Sequence, residues 1–161
     1  MPDLLWDEVK SFFDAELMGA LPDVEIVGSS VADWQALFDL VRSGGWAWEY
    51  AEGGAVRALP LAEAVFSRPA GAESAELRVW PHPAVLAVFR LYSDERIDFD
   101  VDVRELQGQE RLDVLCGFLT VLGRRLGKAV EMSAEGDSGE PVIGFSPDAD
   151  RVVLLADPRF P

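Results

Sequence analysis

The run IDFDVDV at residues 97–103 alternates an apolar residue with an aspartate three times. A period of two is the spacing at which successive side chains leave opposite faces of a β-strand, so the run predicts a strand. Asp98, Asp100 and Asp102 then share one face, and the apolar residues between them share the other. Because only one face is apolar, the strand is expected in an antiparallel sheet with a core on one side.

Neighbouring segments extend this strand into a sheet. Residues 76–80, 84–92 and 97–106 are rich in β-branched and aromatic residues and are separated by short breaks, which predicts three consecutive antiparallel strands. Residues 46–50 and 55–59 flank Gly53-Gly54 and predict a hairpin. Further strands are predicted at 129–133 and 151–156, while 24–28 is either a strand or an extended arm, 141–145 is an optional strand, and 60–68 is a strand or a helical turn.

Helical periodicity occurs in three places. Residues 3–18, 31–43 and 109–126 repeat apolar side chains at spacings of three and four, and Ser30 with Asp33 forms a capping-box pattern before the second of them. Helices near the start and late in the chain, around a run of strands, indicate an α+β fold. We predict a single domain, 1–161, with a mainly antiparallel sheet of about six to eight strands and about three α-helices. Residues 1–20 either pack on this domain or form a peripheral arm.

Composition limits the classes of partner. The chain has 161 residues, 49% of them hydrophobic, which suffices for one core. A net charge of −15 opposes direct binding to nucleic-acid phosphates and favours a partner with a basic surface. Cys116 is the single cysteine, so no intrachain disulfide can form. The acidic N-terminus is unlike a signal peptide, and no apolar run approaches roughly 20 residues, so a cytoplasmic protein without membrane contact is expected.

The aspartates of 98–102 raise the question of a metal site. A calcium loop starting at Asp98 would need glycine at position 6 and glutamate at position 12, where this chain has Val103 and Gln109. A magnesium site with Arg96 and Arg104 beside it is an alternative, because such sites pair carboxylates with a basic group for phosphate. A sheet face that meets solvent or a partner is favoured over both.

Other reactive residues fit no motif. His82 is the single histidine, and Cys116 lies on the apolar stripe of the predicted helix 109–126, as an inert core thiol would. The acidic stretch at 135–141 matches neither a phosphate-binding loop nor a nucleophile elbow. Trp46, Trp48 and Tyr50 could stack on a ligand, although alternate aromatics on a strand are more often core. The sequence therefore predicts no catalytic residue, no metal and no cofactor.

Small size, strong acidity and a sheet with peripheral helices together resemble the immunity proteins of bacterial polymorphic toxin systems. That resemblance implies a binding protein without enzymatic activity that occludes a basic partner. Two alternatives stay open: a divalent-metal enzyme or small-ligand protein that uses the Asp98, Asp100 and Asp102 face, and a self-associating structural or regulatory module. The residues predicted to contact a partner are all acidic: Asp94, Asp98, Asp100, Asp102, Glu135, Asp137 and Glu140.

Overall fold

The fold is known from a computed structural model, which describes residues 1–136 and 140–156. It is α+β, as predicted, and its described residues form nine strands, not six to eight. Of the three segments that the sequence left open, 24–28 and 141–145 contribute strands, and 60–68 contains the short helix Ala62–Phe66. The two additional strands account for the difference. The strands are β1 Asp23–Val27, β2 Ala47–Glu52, β3 Ala55–Arg57, β4 Ala75–His82, β5 Val85–Arg90, β6 Arg96–Val101, β7 Val130–Ser133, β8 Pro141–Ser146 and β9 Arg151–Leu154.

All nine strands belong to one sheet with the order β3-β2-β4-β5-β6-β1-β7-β8-β9, and every neighbouring pair is antiparallel. The predicted hairpin is confirmed as β2 and β3, and the three consecutive strands as β4, β5 and β6. β1 lies between β6 and β7 and joins the two halves of the sheet. This early strand is therefore central, whereas the sequence left open whether it was a strand at all.

Five α-helices are described where about three were predicted. The helices predicted at 31–43 and 109–126 are confirmed, and the first begins with a capping box in which Ser30 and Asp33 bond each other's backbone N–H. No helix of the described residues is both long and apolar enough to cross a membrane. The helices are α1 Trp6–Val9, α2 Ala15–Met18, α3 Val31–Ser43, α4 Ala62–Phe66 and α5 Gln109–Leu126, with 3-10 turns at Lys10–Phe13 and Val103–Glu105.

The prediction of one helix over residues 3–18 is wrong. The segment is divided into α1, a 3-10 turn and α2. The break before α2 falls at Asp14, which has an extended backbone and accepts a hydrogen bond from the N–H of Glu16 at 2.8 Å. Phe12 and Phe13, the last two residues of the 3-10 turn, are both buried in the core. The spacing of apolar residues does not reveal that an aspartate side chain can bond a nearby backbone N–H and so compete with the regular helix.

The first 20 residues pack on the rest of the chain. The N–H of Trp6 donates to Oε1 of Gln109 at 2.7 Å, and Nε2 of Gln107 donates to the carbonyl of Phe13 at 2.8 Å. Asp3 reaches the far end of the sheet, where its Oδ2 accepts from the N–H of Val152 in β9 at 2.9 Å. Side-chain hydrogen bonds thus hold this segment against both α5 and the last strand in the order.

The core lies between one face of the sheet and α5. The ring of Phe118 on α5 meets Phe99 of β6 and Phe89 of β5, with centroid separations of 5.6 and 6.3 Å. Gly123 lies directly against the ring of Phe145 in β8, so no side chain could be added there without displacing that ring. α3 packs beside α5 and contributes Trp34, Leu37, Phe38 and Val41, all fully buried.

Candidate functional site

The sheet face opposite α5 brings carboxylates from three adjacent strands together. In the register of β6 and β1, Asp100 lies opposite Asp23, and Asp98 lies opposite Glu25. Glu25 in turn lies opposite Glu131 of β7. We call these five residues the acidic face. All five are half-buried, because neighbouring side chains on a pleated sheet shield one another.

Two arginines meet the acidic face. Nη2 of Arg90 donates to Oδ2 of Asp100 at 2.8 Å, and its Nη1 lies 3.5 Å from Glu76. Nε of Arg96 lies 3.6 Å from Oε2 of Glu25. Since two guanidinium groups of residues 1–136 and 140–156 face five carboxylates, and Arg90 is shared with Glu76, these residues leave the acidic face with an excess of negative charge.

Burial, with a smaller contribution from nearby carboxylates, raises the pKa of two aspartates in the acidic face. Burial, followed by a hydrogen bond with Asp23, raises the pKa of Asp100 to about 6. Burial also raises the pKa of Asp98, and the charges of Asp23 and Glu25 add to the effect against that of Arg96. Both shifts have the sign expected when carboxylates lose water and face like charges. A cation from outside would oppose them.

Asp102 has a different environment from Asp98 and Asp100. β6 ends at Val101, and Asp102 caps the 3-10 turn by accepting from the N–H of Arg104 at 2.9 Å. The Arg104 guanidinium donates to both carboxylate oxygens of Asp102, at 2.9 and 2.8 Å. These hydrogen bonds lower the pKa of Asp102. The predicted strand 97–106 is thus too long, and the charge of Asp102 is already matched within the chain.

The remaining predicted partner residues are dispersed. Asp94 is exposed in the turn between β5 and β6, near the Val27 end of β1. Glu135 lies at the other end, where its Oε1 accepts from the N–H of Leu21 at 3.0 Å. Glu140 is exposed just before β8, and Asp137 lies outside the described residues. Glu135 therefore has a structural contact of its own, holding the segment that leads into β1.

The predicted stacking residues face the core more than a ligand. Tyr50 is 1% exposed, and its hydroxyl donates to Oε2 of Glu52 at 2.7 Å; burial and this bond raise the pKa of Tyr50. Trp48 is partly buried against the same core. Trp46 packs on Phe118 with a centroid separation of 5.0 Å, and it also lines a surface groove of about 500 Å³ with Trp80 and His82.

The other reactive side chains do not converge. Nδ1 of His82 accepts from the N–H of Ala84 at 3.0 Å, and its Nε2 lies 3.9 Å from Glu110. Cys116 is buried, which raises the pKa of its thiol to about 12. Within residues 1–136 and 140–156, no three Asp, Glu, His or Cys side chains are placed to hold a metal ion.

Sequence reasoning missed three members of the acidic face: Asp23, Glu25 and Glu131. The signal was present, because DVEIV at 23–27 alternates acids with apolar residues as IDFDVDV does. What the sequence did not supply was the pairing of β1 with β6, two strands far apart in the chain.

The chain matches no protein-family model, no curated protein and no solved structure.

Proposed function

We propose that this chain is an acidic binding protein without enzymatic activity, and that its acidic face docks on the basic surface of a partner protein. The mode of action is that of an immunity protein, which occludes the active site of a basic toxin. The observation that carries the proposal is the register of β6, β1 and β7, which sets carboxylate opposite carboxylate in three places.

Such a register opposes the stability of the free protein. Like charges directly opposite each other on a sheet are unfavourable, by a few tenths to about 1 kcal/mol for each pair. Chains usually violate this kind of local rule at functional sites, where another requirement outweighs stability. A cationic partner would remove the repulsion on binding. The unfavourable free energy of the carboxylate pairs in the free protein would then be relieved in the complex, which strengthens binding.

Charge would also govern the rate of encounter. The net charge of −15 gives a long-range field that attracts a basic partner and speeds association at low salt. Because this field is screened over about 8–10 Å at physiological ionic strength, the association rate should fall steeply as salt is added. The local acidic face would then set the orientation of the complex.

Co-purification tests the proposal directly. The protein is expressed with the proteins encoded beside its gene, and each neighbour is also expressed alone to assess toxicity. We expect one neighbour to be basic, to be toxic by itself and to co-purify with this chain. If no neighbour binds and none is toxic, the proposal is wrong.

A matched pair of triple variants then locates the binding surface. Asp23→Asn, Asp98→Asn and Glu131→Gln together remove three charges from the acidic face. Removing three charges from exposed positions elsewhere, with Glu8→Gln, Glu16→Gln and Glu63→Gln, is the control. We expect the first triple to weaken partner binding by at least about tenfold and the control to have a much smaller effect. Equal effects would indicate net charge, not this face.

A further inference from the structure

A groove of about 600 Å³ opens at one end of the acidic face, where β1 ends and β6 begins. We call it the Tyr92 groove. It shares Asp98 with the acidic face and adds residues from the loops that follow β1 and β5. Its principal lining residues are Val27, Ser29, Tyr92, Glu95, Arg96 and Asp98.

Two large apolar side chains are exposed at this groove. Tyr92 is 74% exposed and Val27 is 63% exposed, on a part of the surface that is otherwise polar. Single exposed apolar residues are ordinary, but an aromatic beside a pocket is typical of the residues that dominate binding energies. The pair therefore offers contact area at the edge of a charged surface.

The backbone that carries Tyr92 is fixed by hydrogen bonds. The carbonyl of Ser93 accepts from Nε1 of the buried Trp34 at 3.1 Å, and Oγ of Ser93 accepts from the N–H of Glu95 at 3.1 Å. The carbonyl of Glu95 accepts from the N–H of Ser29 at 3.1 Å, which ties this turn to the end of β1. A partner would meet a turn that is already ordered, so little conformational entropy would be lost there.

The charge of the groove is negative. Glu95 and Asp98 line it, Asp94 lies in the same turn, and Glu25 lies beside it on β1. Arg96 is the cation of this group, and its guanidinium is already within 3.6 Å of Glu25. The groove thus fits a cation and not a phosphate or carboxylate.

We propose that the Tyr92 groove receives an arginine side chain from the basic partner. The inference rests on the proposed function and names the contact that anchors it. The planar guanidinium stacks on the tyrosine ring and donates to Asp98 and Glu95, while Val27 covers the aliphatic stem. A lysine ammonium would keep the charge interaction and lose the stacking and the second hydrogen bond.

Nuclear magnetic resonance with a minimal probe tests this contact without the partner. The ¹⁵N-labelled full chain is titrated with the acetylated, amidated peptide Gly-Arg-Gly, and in parallel with its lysine analogue and its uncharged citrulline analogue. We expect saturable shifts at the amides of residues 27–29 and 92–96 with the arginine peptide, weaker shifts with lysine and none with citrulline. Shifts spread equally over the acidic face for arginine and lysine would overturn the inference.

Variants that should weaken or strengthen binding of the arginine peptide make the test more specific. Tyr92→Ala should weaken arginine-peptide binding by about fivefold, whereas Tyr92→Phe should leave it unchanged because the ring is kept. Arg96→Gln should strengthen binding, because it removes the cation that competes for Glu25 and Asp98. Val27→Ala should weaken binding because it removes the cover over the aliphatic stem, and Val56→Ala, at an exposed valine of β3, is its control. Unchanged affinity in Tyr92→Ala overturns the inference.

The two proposals fail separately. If a partner co-purifies and depends on Asp23 and Glu131 but not on Tyr92, the proposed function stands and the groove is not its anchor. If the arginine peptide binds in the Tyr92 groove and no neighbouring gene encodes a partner, the arginine site is supported and the immunity function is wrong.

Discussion

The two faces of β6 have opposite effects on the stability of the fold. On one face Ile97, Phe99 and Val101 are almost fully buried against neighbouring strands and α5. On the other, Asp98 and Asp100 face carboxylates of β1 across the strand pair. The first face stabilises the fold, and the second lowers its stability for as long as its charges are unmatched. One alternating sequence thus carries an apolar face that the fold requires and the proposed binding surface on the same strand.

The largest expected effect is the loss of the core face. Phe99→Ala should destabilise the protein by about 3–5 kcal/mol, because it removes a ring packed 4.5 Å from that of Phe89 and leaves a cavity. Urea unfolding followed by fluorescence measures it. Val27→Ala on the neighbouring strand β1, where the side chain is exposed, is the control and should cost less than about 0.5 kcal/mol. A cost below about 1 kcal/mol for Phe99→Ala would contradict the described core.

A substitution in the acidic face should raise stability, whereas Phe99→Ala lowers it. The folded-state pKa of Asp100 is raised to about 6 from 3.8, so the folded protein binds this proton more tightly than the unfolded chain. Its contribution to stability is therefore complete below about pH 4 and is lost as pH rises through about 6. Asp100→Asn should abolish this decline and raise the free energy of unfolding at pH 7 by about 1 kcal/mol, because the loss of the ion pair with Arg90 offsets much of the gain.

Unfolding measured at several pH values between 4 and 7 checks this expectation. Asp94→Asn, at an exposed aspartate of the adjacent turn, removes the same charge without the cross-strand neighbour. The free energy of unfolding should change with pH at a different slope in each of the two variants. Parallel slopes would mean that burial and the hydrogen bond with Asp23 do not raise the pKa of Asp100.

The contribution of Asp102 to stability should change with pH in the opposite direction from those of Asp98 and Asp100. Its pKa is lowered by Arg104, so it contributes stability that is present above its unfolded pKa and is lost as pH falls through the folded value. Asp102→Ala should cost about 0.5 kcal/mol at pH 7 through the lost cap. The cost should vanish in acid, where the native carboxyl is protonated, and thermal unfolding at pH 7 and in acid would reveal this change.

The smallest effect is expected for Arg104→Ala. This change removes an exposed ion pair and leaves the backbone hydrogen bond from residue 104 to Asp102 in place. The melting temperature should therefore fall less than in Asp102→Ala. An equal fall would show that the ion pair, and not the cap, holds the 3-10 turn.

Local patterns carried much of the fold prediction. The capping box of Ser30 and the long apolar stripe of 109–126 gave α3 and α5, and alternation gave β4, β5 and β6, because each signal lies within one element. Two of the five members of the acidic face were singled out from the sequence. Asp98 and Asp100 were found, but Asp23, Glu25 and Glu131 join them through the pairing of distant strands, which no local period encodes. The capping role of Asp102 was hidden by the same alternation.

The hydrogen bond from Val152 to Asp3 bears on how the sheet ends. An edge strand presents free N–H groups that can template pairing with another chain and lead to aggregation. In β9, the last strand in the order for the part of the chain that the structure describes, one of these groups already donates to the carboxylate of Asp3, which also brings negative charge to this strand. Asp3 therefore blocks one pairing position of β9, and removing Asp3 would leave the N–H of Val152 without this acceptor.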